Sequence, residues 1–114
     1  MAADCIFCRI ADGEIPARVV FADDQVVAFH DVAPKAPTHV LVIPRRHIAT
    51  LYDAGADDAA LLGRLNQTAI EVARELGLRD GFRLVFNCGE HAGRSVFHLH
   101  LHLLGGRDFA WPPG

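Results

Sequence analysis

The chain has 114 residues, 51% of them hydrophobic, with 11 basic and 14 acidic side chains for a net charge of −3 with histidine neutral. That length suits one domain over residues 1–114 with a single hydrophobic core. The mildly acidic balance excludes a broad basic face for duplex nucleic acid and leaves room only for a local anion site. No run approaches the roughly 18 apolar residues of a membrane span.

The opening "MAADCIFCRI" lacks the basic start and long apolar run of an export signal. With three cysteines, an odd number, the expectation is a cytoplasmic chain without a disulfide framework. "DCIFCRIADGEIP" (4–16) predicts one or two helical turns closed by Asp12-Gly13 and Pro16. "ARVVFADDQVVAFHD" (17–31) reads as a hairpin with arms at 19–22 and 26–30 and Asp23-Asp24 at the turn. "THVLVIP" (38–44) is a third strand, opened by the Pro-rich "APKAP" and ended by Pro44.

"DDAALLGRLNQTAIEVARELGL" (57–78) predicts the one long helix. Leu61, Leu65, Val72 and Leu76 recur at helical spacing, Asp57 and Asp58 suit its positive N-terminal end, and Gly77 suits a C-cap. "FRLVFN" (82–87) is a fourth strand and "FHLHLHLL" (97–104) a fifth, with the Gly-containing loop "CGEHAGRS" between them. The expected fold class is α+β: a five-stranded antiparallel sheet with one long and one short helix, the long one packed on one face.

In the fifth strand His98, His100 and His102 alternate with Leu99, Leu101 and Leu103. A strand sends successive side chains to opposite faces, so this spacing makes one imidazole row and one leucine row. Leucines are core. Three adjacent imidazoles are not asked for by packing, and they repel one another when charged. Two chemical uses remain, a metal site or a cluster built around a nucleophile. An imidazole near its ordinary pKa is mostly neutral, and so nucleophilic, at pH 7. The preceding "GEHAGRS" supplies backbone N–H groups, the Ser95 hydroxyl and the Arg94 cation, all suited to a phosphate.

"HLHLHLL" follows the His-φ-His-φ-His-φ-φ pattern, φ being apolar, and resembles the histidine triad family. "FHDVAPKAPTHVLVIPRRHI" (29–48), "VFNCGEHAGRSVFHLHLHLLGGR" (85–107) and the closing "WPPG" resemble its nucleotide-binding branch, in order and over nearly the whole chain. The resemblance implies hydrolysis of nucleoside 5′-phosphoramidates, purine preferred, through a covalent nucleotidyl-histidine. It gives His100 the role of nucleophile and sets His102 against phosphate oxygens. His98 orients its neighbours, with His39 beside it as a further relay. Ser95 binds the phosphate or leaving group, and Asn87, Gly93 and Arg94 lie at the phosphate end. Asp31 can accept two hydrogen bonds from a ribose diol; the competing reading is a turn former. Ile6, Phe7, Phe29, His30, Val32 and Leu41 would wall the base, and the same side chains would also serve as core. Arg94 and Cys88 stand where many members carry glutamine and an acidic residue, which bears on the leaving group.

Cys5-x-x-Cys8 has three readings: a redox pair, two zinc ligands or two buried thiols. The βαβ context of a redox pair is absent, and two cysteines need two further ligands for a structural zinc. Bacterial family members that this chain resembles imply Cys5, Cys8, His47 and His98 as that set, with zinc structural and no cofactor needed for catalysis. They also imply a homodimer in which the tail, Trp111 included, reaches the partner's site. Rival readings are a dinucleoside polyphosphate hydrolase, a nucleotidyl transferase (against which His102 speaks), a purine nucleotide-binding module without turnover, and a zinc scaffold. No membrane partner is expected.

Overall fold

The computed structural model describes residues 4–114. Its strands are β1 (Val19–Ala22), β2 (Val26–His30), β3 (Thr38–Pro44), β4 (Phe82–Val85) and β5 (Leu101–Gly105), with helices α1 (Ile6–Ala11) and α2 (Ala59–Glu75). The strands form one antiparallel sheet in the order β1-β2-β3-β5-β4. This is the α+β architecture expected from the sequence.

Local chemistry sets each boundary. The β1–β2 turn is held by Asp23, whose Oδ1 accepts from the N–H groups of Gln25 and Val26, both at 2.8 Å. The other carboxylate oxygen takes a bond from Arg64 of α2 at 2.6 Å, tying the hairpin to the helix. α2 follows a 3₁₀ turn at Ala56–Asp58 and ends before Gly77, whose φ of +75° is the left-handed stop that glycine adopts readily.

The sheet buries both faces, and strand alternation sorts the residues. Val26, Ala28, Val40, Val42, Leu99, Leu101 and Leu103 pack with Leu65, Ala69, Val72 and Ala73 of α2. The residues between them, Val27, Phe29, Leu41 and Ile43, pack with Phe7 and Ala11 of α1. The leucine row is therefore core under the long helix. The imidazole row faces the short one: the Phe7 ring lies 6.0 Å from that of His98 and 5.2 Å from that of His100.

Two expected strands are shorter than their hydrophobic pattern. β5 begins at Leu101 rather than Phe97. Its ladder with β3 ends at the Val42–Leu101 pair, because Pro44, two residues on, has no N–H to donate. Leu99 bonds its N–H instead to Ile48 O at 2.6 Å. β4 ends at Val85, two residues early, and Asn87 leaves the sheet to lie against His102.

Candidate active site

Where the row of imidazoles emerges from the sheet, a cavity of about 310 Å³ opens between β2, β3, the α1 side and the loop before β5. That volume falls within the roughly 300–1,000 Å³ of small-ligand sites. Among its lining residues are Ile6, Phe7, Phe29, His30, Asp31, Val32, Leu41, Ser95, His100 and His102, all singled out from the sequence. Val32 is 99% exposed and Ile6 48%, so two apolar walls stand at an open mouth instead of in the core. Ile10, Ile15, Pro16, Ala17 and Val96 also line it, and sequence reading missed them. For Ile15, Pro16 and Ala17 the signal is the run "GEIPA" that follows α1, and for Ile10 it is the helical spacing from Ile6 and Phe7.

Hydrogen bonds fix the state of each imidazole. His100 donates from Nδ1 to the carbonyl oxygen of His98 at 2.7 Å, which leaves Nε2 as its lone-pair nitrogen. The Lys35 N–H donates to His39 Nδ1 at 3.0 Å, so the His39 proton sits on Nε2, 2.9 Å from His102 Nδ1. His102 thereby carries its own proton on Nε2; the Asn87 amide nitrogen, 3.5 Å away, is also a donor, so the two make no hydrogen bond and both are left for an acceptor between them. Burial pushes the pKa of His39 down, against the pull of Asp31. Burial, with His100 and His39 adding to it, lowers that of His102 to about 4. His102 is a neutral donor at pH 7.

The expectation that His39 stands beside His98 is corrected by the register. Leu41 pairs with His102 across β3 and β5, which brings His39, two residues earlier on the same face, to His102. His98 does not line the cavity; its carbonyl, and not its ring, touches His100. Asp31 fulfils its turn reading through Oδ1, which accepts from Ala33 N–H at 2.9 Å, while Oδ2 lies 3.5 Å from His39 Nε2. Gly93 caps a 3₁₀ turn (Glu90–Ala92) with a φ of +83°. Arg94 lies over the Phe97 ring, and Trp111 projects into solvent, 84% exposed, away from this cavity.

A second cluster adjoins the first. Cys5, Cys8, His47 and His98 bring four ligand atoms together, each within 4.8 Å of the others. His98 Nδ1 is 3.2 Å from Cys5 Sγ, 3.4 Å from Cys8 Sγ and 3.2 Å from His47 Nδ1, and Cys8 Sγ is 3.3 Å from His47 Nδ1. A tetrahedral zinc with ordinary Zn–S and Zn–N bonds would space its ligands about 3.3–3.8 Å apart, so the four residues fit. His98 donates from Nε2 to Pro44 O at 2.8 Å, turning the unprotonated Nδ1 toward the thiols, the outer-sphere arrangement typical of a metal-binding imidazole. Such an ion would hold α1, which carries both cysteines, against the start of the histidine segment.

A sequence model described as the HIT domain matches residues 12–109. An uncharacterised HIT-like protein of Synechocystis is 55% identical over 114 residues, the whole of both chains. The crystal structure of a HIT family hydrolase from Legionella pneumophila superposes with a TM-score of 0.94 at 53% identity, covering 96% of this chain and 99% of that one. A Zn-bound histidine triad family protein from Mycobacterium smegmatis has a TM-score of 0.78 at 35% identity, over 91% of this chain and 76% of that chain. The fold, the alternating histidines and these relatives agree: the chain belongs to the HIT domain family.

Proposed function

We propose that this protein hydrolyses nucleoside 5′-phosphoramidates, with purine preferred, as a member of the nucleotide-binding branch, and that His100 carries the nucleotide between two displacement steps. The observation that carries the reading is the bond from His100 Nδ1–H to the His98 carbonyl, which leaves Nε2 as the free nucleophilic nitrogen of a cavity-lining side chain. The name of the Legionella relative, a HIT family hydrolase, agrees with it. Phe7, Phe29, Ile6 and Leu41 supply apolar walls for the base, and Asp31 Oδ2, 3.5 Å from His39 Nε2, accepts from ribose hydroxyls.

In the first step His100 Nε2 attacks the α-phosphorus. The P–N bond breaks with its electron pair on nitrogen, which takes up a proton from solvent at the exposed Ser95 and leaves as an amine. His102 Nε2–H bonds a phosphate oxygen, and the His98 carbonyl holds the positive charge formed on the His100 ring. In the second step water attacks phosphorus, the P–N bond to His100 breaks, and one proton is released with the nucleoside monophosphate. The protein returns to its starting state.

Structural zinc on Cys5, Cys8, His47 and His98 belongs to the same proposal, supported by ligand spacing and by the Zn-bound relative. Free thiols at all three cysteines suit a reducing cytoplasm. Among the described residues no helix is long and apolar enough to cross a membrane. A homodimer is proposed from the exposed Phe82 on the edge strand β4 and from Trp111, which needs a second surface.

The test is a single-turnover reaction with adenosine 5′-phosphoramidate, wild type against His100→Ala, followed by intact mass. A transient gain of one AMP on the wild type alone is the expected result. Tight binding with no adduct and equal rates in both proteins would overturn it in favour of a binding module.

A further inference from the structure

Arg94 is a fixed positive charge with no ion-pair partner among the described residues. Its guanidinium lies 3.8 Å from the centroid of the Phe97 ring, and that ring is 60% exposed, a platform and not core. Among the described residues the ion pairs involve Arg9, His39, Arg46 and Arg64, and no carboxylate lies within 4.0 Å of Arg94. Its Nε is buried without a hydrogen-bond partner. The backbone is held as well: Arg94 N–H bonds Gly89 O at 3.3 Å, after the left-handed Gly93.

The location gives this charge a use. Arg94 directly precedes Ser95, which lines the cavity together with His100. The cavity lining contains no lysine or arginine; its polar groups are Asp31, Ser95 and three histidines. A nucleotide seated there meets the His102 Nε2–H at its phosphate and the Asp31 carboxylate at its ribose. The permanent cation stands just outside that lining, one residue before Ser95, and the group beyond the α-phosphate is assigned to this side as part of the proposal below.

Resting on the hydrolase reading above, we propose that Arg94 is a specificity-determining residue that selects substrates whose leaving group carries its own negative charge. Two sources share that chemistry, an amino acid joined through nitrogen with its carboxylate free and a further phosphate. In either case the leaving group departs with the electron pair of its P–N or P–O bond. Arg94 keeps all its protons and acts through charge alone.

The experiment compares kcat/KM for AMP joined through nitrogen to an amino acid with that for its carboxamide, a neutral substrate of equal size, in wild type, Arg94→Gln and Arg94→Lys. Diadenosine tetraphosphate serves as the phosphate arm. Wild type is expected to favour the carboxylate over the carboxamide by about two- to fivefold, the scale of one screened charge pair, with the ratio shrinking at high salt. Arg94→Gln should bring the ratio to about one whatever its absolute rates, and Arg94→Lys should restore part of it. A residue that merely packs on Phe97 would lower all rates together and leave the ratio intact, and that result overturns the proposal. An Arg94-dependent gain larger for diadenosine tetraphosphate than for the carboxylate assigns phosphate as the source, and the reverse assigns the amino acid. Turnover of every substrate without charge preference defeats this proposal alone; release of AMP from none of them defeats the hydrolase reading itself.

Discussion

His100 and His98 are joined through a backbone carbonyl and not ring to ring: His100 Nδ1 donates to His98 O at 2.7 Å, while both ring nitrogens of His98 are engaged elsewhere, with the thiol cluster and with Pro44 O. One residue thus serves two neighbours with different parts of itself. The geometry of the nucleophile is set by the main chain, and the side chain of His98 sets where that main chain lies.

His98→Ala separates the two roles. The carbonyl survives the substitution, but a fully buried ring is lost together with its bond to Pro44 O. A loss of about 2–4 kcal/mol in urea unfolding is expected, the scale for deleting a buried hydrogen-bonded side chain. Turnover should fall while the AMP adduct, where formed, still maps to His100. Stability equal to wild type would show that the ring anchors nothing.

Zinc removal should act on stability ahead of chemistry. One zinc per chain is expected by elemental analysis of protein purified without chelator, and Cys8→Ser should abolish it. A ligand that binds only the folded state at a hundred times its Kd adds about 2.7 kcal/mol, so chelation should lower Tm measurably. Burial and the neighbouring Cys5 push the Cys8 thiol up to about 11 in the metal-free cluster. Metal must displace that proton, and the measured zinc affinity should weaken as pH falls. Equal Tm with and without chelator would count against a structural ion.

Much of this site could be read from the chain because its chemistry is concentrated in local patterns. The period-two alternation of histidine and leucine separates a reactive face from a core face in β5, and Leu99, which lies before the strand, still joins the core with Leu101 and Leu103. Helical spacing in residues 57–78 likewise placed Leu65 and Val72 in the core. Contacts between distant segments were less legible. Register alone decides that His39 meets His102, and the sequence distance between them holds no sign of it. The early end of the β3–β5 ladder was readable in principle, since Pro44 lacks the donor a longer ladder would use.

The pKa of His102 yields a pH dependence of stability. Its folded-state value is about 4, against 6.5 for an unperturbed imidazole, chiefly because burial disfavours the charged form. Between those values the unfolded chain holds the proton and the folded chain does not. The contribution is therefore fully present above pH 6.5 and is lost progressively as pH falls toward 4. His39, lowered in the same direction by burial, adds to it. His102→Asn should flatten the fall in unfolding free energy between pH 6.5 and 4, measured by urea titration. An NMR titration placing His102 near 6.5 in the folded protein would remove the basis for this.

Gly105 and Gly106 close β5 and should respond differently to alanine. A Cβ at Gly105 would come 2.7 Å from Leu78 Cδ1, the tip of a flexible side chain that can rotate aside. About 1 kcal/mol of destabilisation is expected there, as for mild overpacking. Gly106 has a φ of +90°, and its added Cβ would lie 2.8 Å from Pro37 Cβ, on a ring that cannot swing away. Backbone strain and the clash together should cost about 2–3 kcal/mol. Pro37 precedes Thr38 and His39, so a displaced ring also shifts the imidazole bonded to His102. Gly106→Ala should accordingly lower both Tm and the rate of adduct formation, whereas Gly105→Ala should lower Tm slightly and leave the rate near wild type. Equal behaviour of the two variants would mean that the Pro37 contact does not reach the imidazole pair.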